Sequence, residues 1–116
     1  MSPRRKAAVA KLADAAPVFA ALGDPTRLKL VARLCAHGPL SIASLSEDAG
    51  VTRQAVTKHL QALGDAGLVH DVWQGRERIW ELEPRRLELA KRCLDQVSSE
   101  WDDVIRRLKA FVEDQA

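Results

Sequence analysis

The chain has no tyrosine and only two phenylalanines and three tryptophans in 116 residues. With aromatics at 4%, any core has to be filled by Leu, Val and Ala. Such a core is thin, and oligomerisation is one way to supplement it. No apolar run approaches the ~20 residues that a membrane-spanning helix needs, so no membrane partner is expected. The basic start, Met1-Ser2-Pro3-Arg4-Arg5-Lys6, leads into an Ala-rich stretch broken by Lys11 and Asp14. It lacks the apolar core of a secretion signal. The two cysteines, Cys35 and Cys93, lie far apart in helical patterns. Without a secretion signal they read as reduced residues rather than a disulfide, and the chain reads as cytoplasmic. There is no Gly-rich phosphate loop and no compact nucleophile–base arrangement, so an enzyme is not expected, nor a cofactor. The net charge of +2 permits a nucleic-acid partner without arguing for one.

What is present is punctuation. Ser2 and Pro3 suit the start of a helix that runs to about Ala15, and Pro17 predicts a kink or restart, with Val18, Phe19 and Leu22 on an apolar face. Gly23-Asp24-Pro25 ends that helix, caps the next and supplies its first residue. The second helix runs to about His37. Leu28, Val31 and Cys35 share its apolar face, Leu30 and Leu34 widen it, and Arg27, Lys29 and Arg33 point outward. Gly38-Pro39 stops it. Ser41 caps a short helix, Ile42 to Ala49, and Thr52 caps another, Arg53 to about Ala66, with the turn at Gly50-Val51. Two short helices around such a turn form a helix-turn-helix candidate. Leu68–Trp73 and Glu77–Leu82 are β-rich, and Gln74-Gly75-Arg76 between them reads as a hairpin turn.

On the fourth helix Val56, Leu60 and Leu63 face the core, while Arg53, Gln54, Thr57, Lys58 and Gln61 occupy the opposite side. That side has no carboxylate until Asp65, so nothing on it repels phosphate. Gln pairs with adenine edges, and Arg or Lys with guanine edges, in the major groove. Thr52 either caps the helix or donates to a phosphate, and the helix N-terminus favours phosphate. His59 either reaches a phosphate or fills the turn junction. Arg76 and Arg78, at and just past the hairpin tip, suit contact with DNA backbone or minor groove.

The last helix opens at Pro84 and extends to about Glu113. Leu87, Ala90, Leu94, Val97, Trp101, Val104, Leu108 and Phe111 repeat along it at alternating spacings of 3 and 4. This unbroken heptad series predicts a homodimer seam that outruns the chain's own core. Its expected interface residues are Leu87, Leu94, Val97, Trp101, Val104, Leu108 and Phe111. The three histidines, His37, His59 and His70, lie in different elements without zinc-site spacing.

Gly23-Asp24-Pro25-Thr26-Arg27-Leu28, then Val51-Thr52-Arg53-Gln54-Ala55-Val56-Thr57-Lys58-His59-Leu60, then Gly67-Leu68-Val69 and Gly75-Arg76-Glu77, resemble the ArsR-type winged-helix repressors. The resemblance covers roughly residues 17–90. It implies a mostly α fold with a small β-hairpin wing, a winged helix-turn-helix. It also implies a dimeric repressor of double-stranded DNA that binds an imperfect palindrome, with dimerisation through the first and last helices. The DNA contacts it implies are Thr52, Arg53, Gln54, Thr57, Lys58 and His59 together with the wing, while Arg27 is structural. Many such relatives bind metal through two cysteines at the start of the third helix. Ser41 and Ala43 stand there, and neither suits a soft metal, so no metal site is expected. Cys35 and Cys93 resemble, with offset positions, the cysteine pairs of persulfide-sensing relatives, which keeps a redox or metal-responsive repressor as an alternative. A winged-helix protein-interaction module without DNA binding is the other, and the carboxylate-free face of the fourth helix speaks against it. The expected organisation is an N-terminal helical arm (1–16), a DNA-binding domain (17–83) and a dimerisation helix (84–116). The inducer is not legible.

Overall fold

The structure, a computed structural model, describes residues 3–114, with side-chain surroundings from Leu12 onward. In chain order its elements are α1 (Pro3–Leu22), α2 (Pro25–His37), β1 (Leu40–Ser41), α3 (Ile42–Ser46), α4 (Arg53–Asp65), β2 (Val69–Gln74), β3 (Glu77–Leu82) and α5 (Pro84–Asp114). The three strands form one antiparallel sheet in the order β1-β3-β2. Leu30, Leu34, Leu45, Leu60, Leu63 and Val56 lie at the centre of the core, where the inner faces of α2, α3 and α4 meet.

Asp24 caps α2 as its position predicts. Its Oδ2 accepts from Arg27 N at 3.0 Å, and that bond holds its carboxyl below the usual aspartate range. The expected Ser2 cap lies outside the described residues. No restart occurs at Pro17, because α1 continues through it to Leu22. An interior proline costs a helix about 3 kcal/mol. Here Ala15 and Val18 on either side are fully buried, and α1 packs along α5, so tertiary burial outweighs the missing hydrogen bond.

The buried arc of α2 differs from the expected one. Leu30, Val31 and Leu34 are buried, whereas Leu28 and Cys35 lie exposed on the outer side. The reason is that two arginines expected to point outward turn inward. Arg27 Nε donates to the carbonyl of Ala21 at 2.7 Å, at the end of α1. Arg33 Nη1 donates to the carbonyls of Ser44 at 2.8 Å and Leu45 at 3.2 Å, at the end of α3. Each guanidinium thus meets the negative end of another helix and satisfies carbonyls that have no partner within it.

Ser41 caps α3 through Ser44 N at 3.2 Å, but α3 ends at Ser46, earlier than Ala49. Left-handed backbone at Asp48 (φ 54°) and Gly50 (φ 73°) makes the turn to α4. The strand Leu40–Ser41 is an addition to the expected elements. Two residues are too short to show a period, and only the pairing of Leu40 with Trp80 and Ser41 with Ile79 reveals it.

In the hairpin, Gln74 pairs with Glu77, so the turn is the two residues Gly75-Arg76, and Gly75 takes φ 62°. The opposed pairs Asp71–Trp80 and Trp73–Arg78 place those four side chains on one face. Arg78 Nε donates to Asp71 Oδ2 at 2.6 Å, and its guanidinium carbon sits 4.7 Å from the centre of the Trp80 ring. The pair therefore lids a buried indole with a cation held in place by a carboxylate.

Arg78 lowers the pKa of Asp71 through that hydrogen bond. The folded chain then holds the Asp71 proton less tightly than the unfolded chain. The brace contributes its stability above the ordinary carboxylate range and loses it as pH falls through the depressed folded value. Thermal unfolding followed by circular dichroism should show Asp71→Asn melting below the parent at neutral pH, with the gap closing in acid. A gap that stayed constant across that range would contradict the brace.

Candidate nucleic-acid interface

Two elements converge on one surface. The first is α4, whose rotation is set by Val56, Leu60 and Leu63, all fully buried. Their burial leaves Arg53, Gln54, Lys58 and Gln61 exposed, with Thr57 half-buried beside them. Thr52 takes its capping role: Oγ1 accepts from Ala55 N at 3.1 Å. Thr57 Oγ1 donates to the carbonyl of Arg53 at 3.0 Å.

The second element is the hairpin. Arg76 is exposed at its tip, and Arg78 is held by Asp71 behind it. Between the hairpin and α4 lies a cleft of about 320 Å³. Arg53 and Thr57 form one wall, Trp73, Arg76, Glu77 and Arg78 the other, and the start of α3 the floor. The N-terminal residues of α4 and the hairpin tip, some twenty residues apart in sequence, thus open onto one concave surface.

His59 belongs to the turn junction. Its Nδ1 lies 3.4 Å from Arg27 Nη1 and 3.9 Å from Asp24 Oδ2, tying the middle of α4 to the start of α2. His70 lies in the sheet between Glu81 at 3.4 Å and Glu83 at 3.1 Å. Ser41 directs its hydroxyl to Ser44, and Ala43 offers only a methyl, so these residues do not fit a soft metal. Among the described residues no group of His, Cys, Asp and Glu is arranged to hold a metal ion. Cys35 is exposed on α2 and Cys93 is buried on the inner side of α5, so of the two it is Cys35 that meets solvent.

On α5, Ala90 and Cys93 are buried and Leu87 packs against the core of its own chain. Val97 is half-buried. Leu94, Trp101, Val104, Leu108 and Phe111 are exposed, and every residue from 98 to 114 faces solvent. Ile105 and Val112, outside the heptad series, add to this stripe. Trp73 joins the cleft although it is absent from the expected contacts. The alternation of Val69, Asp71 and Trp73 along β2 is the signal that places it on the core-side face of the strand.

Residues 22–72 match a helix-turn-helix domain family. The chain is 43% identical to the HTH-type transcriptional regulator Rv2034 of Mycobacterium tuberculosis over 66% of its own length and 70% of that protein. A solved ArsR-like transcriptional regulator from Rhodococcus sp. RHA1 is 37% identical, with a TM-score of 0.68, covering 86% of this chain and 93% of that one. The homodimeric winged helix-turn-helix DNA-binding domain Mb0332 of Mycobacterium bovis shares the fold at 24% identity and a TM-score of 0.57, over 86% and 88% of the two chains. No described helix is long and apolar enough to cross a membrane. With this fold, this turn and these relatives, the chain belongs to the ArsR-type family of winged helix-turn-helix transcriptional regulators.

Proposed function

We propose that this regulator is a cytoplasmic repressor that binds an imperfect palindrome in double-stranded DNA as a homodimer. Each chain lays α4 in the major groove of one half-site and sets its hairpin on the neighbouring backbone and minor groove. The observation that carries this reading is the shared cleft of Arg53, Thr57 and Arg76. Gln54, Lys58 and Gln61, exposed along α4, extend the reading face, with Thr52 and His59 fixing the helix rather than reading bases. Occupancy of a promoter is enough to exclude polymerase, so repression needs no surface beyond this one.

The dimer is supported by α5. Trp101 is 67% and Phe111 61% exposed within the chain, both on a continuous apolar stripe. Such a patch on a lone chain marks an interaction surface. The same fold forms a homodimer in the Mycobacterium bovis domain. A two-helix seam built from α5 joins two readers, which makes the second half-site contact intramolecular.

Two expected outcomes follow. In gel-shift titrations, Gln54→Ala should relax preference at particular bases by about 1–3 kcal/mol. Arg76→Ala should instead weaken binding to all sequences and flatten the salt slope by about one unit. Equal salt slopes for the two variants would sink the division of labour. Separately, Leu108→Asp with Phe111→Asp touches only positions already exposed in the single chain. That variant should sediment as a monomer with an unchanged circular dichroism spectrum, and lose at least about tenfold in DNA affinity. A variant that stays dimeric would place the seam elsewhere.

A further inference from the structure

Trp73 is a large apolar side chain on the hairpin, yet it is 67% exposed. It stands directly opposite Arg78, on the same face as the buried Trp80 but nearer the tip. Of the two indoles, it is that of Trp80 over which the guanidinium of Arg78 lies. One is sealed in the core, and the other overhangs the cleft opposite Arg53 and Thr57. The residue paired with Trp73 across the hairpin, Arg78, is itself held by Asp71 at 2.6 Å.

The major groove and the adjoining minor groove of a duplex are separated by one sugar–phosphate strand. A protein with α4 in the first and its hairpin at the second must take that strand between them, which is where the cleft lies. Arg53 and Arg76 supply positive charge on either side, Arg78 is neutralised by Asp71, and Glu77 is the carboxylate on the lining. An uncharged, flat side chain on that wall faces the part of the strand that carries no charge, the deoxyribose.

We infer that Trp73 is a DNA-contact residue that packs its indole against the deoxyribose of the strand crossing the cleft. This rests on the reading of α4 and the hairpin as the DNA surface. The contact is independent of base identity and adds no counterion release, which separates it from both the base readers and the phosphate-binding arginines.

The test uses two probes: a duplex recovered from a random pool by selection on the full chain, and an unrelated duplex of equal length. Fluorescence anisotropy across a salt series gives affinity and slope. Trp73→Ala should lose affinity for both duplexes by the same factor, roughly tenfold for an indole's share of buried apolar surface, with the parental salt slope. Trp73→Phe, which keeps a flat apolar ring, should recover most of it. The parent's fluorescence should also lose accessibility to acrylamide when duplex is added, and Trp73→Phe should lose none. Unchanged affinity in Trp73→Ala, a loss confined to the selected duplex, or a changed slope overturns the inference. So does shielding that follows protein concentration without DNA in the parent and is absent in Trp73→Phe, which would assign the indole to a second copy of the chain. Arg53→Ala serves as the control for the underlying reading. If it too binds both duplexes like the parent, the DNA surface itself is misassigned; if it alone weakens, only the role of Trp73 fails.

Discussion

Val56, Leu60 and Leu63 form one stripe of α4 and are wholly removed from water. Turning the helix by one residue, about 100°, would lift that stripe out of the core and press Thr57, Gln61 and the charged Arg53 toward it, at a cost no thin core can absorb. The outward aim of those polar residues is therefore a consequence of hydrophobic burial beneath them. Everything else that the surface does, including the width of the cleft and the reach of the hairpin, is measured from a helix that cannot roll.

A core with so few aromatics leaves little to hold that helix at its ends, and polar contacts supply the rest. Arg27 and Arg33 leave α2 to bind the last carbonyls of α1 and α3. His59 stands against Asp24 and Arg27, tying the middle of α4 to the start of α2. The guanidinium of Arg78 lids the buried indole of Trp80. Hydrogen bonds to charged groups contribute about 1.5–3 kcal/mol each, comparable to a buried aliphatic side chain. These arginines thus divide between those that bind helix ends or a carboxylate inside the fold and those, Arg53 and Arg76, left at the surface.

Features set by near neighbours along the chain are legible from the sequence itself. Gly23-Asp24-Pro25, the caps at Ser41 and Thr52, the glycine at the hairpin tip and the apolar stripe of α4 all follow from local geometry. Features decided by contacts distant along the chain are not. Pro17 ends helices on local grounds, but burial of Ala15 and Val18 along α5 overrides it. Arg27 and Arg33 look solvent-facing until the ends of α1 and α3 are brought beside them. Leu28 and Cys35 look like core until those arginines take the inner arc. Trp73 is a different case. Strand alternation alone places it on the inner face, but an expectation built on charge at the hairpin tip leaves out an indole.

The long helix sets the scale of the proposed dimer. The chain measures 66 Å along its longest axis against 20 Å along its shortest, because the distal half of α5 extends past the body. In the proposed dimer an apolar stripe on that extension links two copies, and two copies carry two copies of α4. Half-sites read from one face of B-DNA by such a pair lie about 34–36 Å apart, or a multiple of it. Hydroxyl-radical footprinting of a selected duplex measures this directly. The account predicts two protected patches on the same face of the duplex, related by two-fold symmetry and separated by a whole number of helical turns. A single protected patch at saturating protein would contradict it.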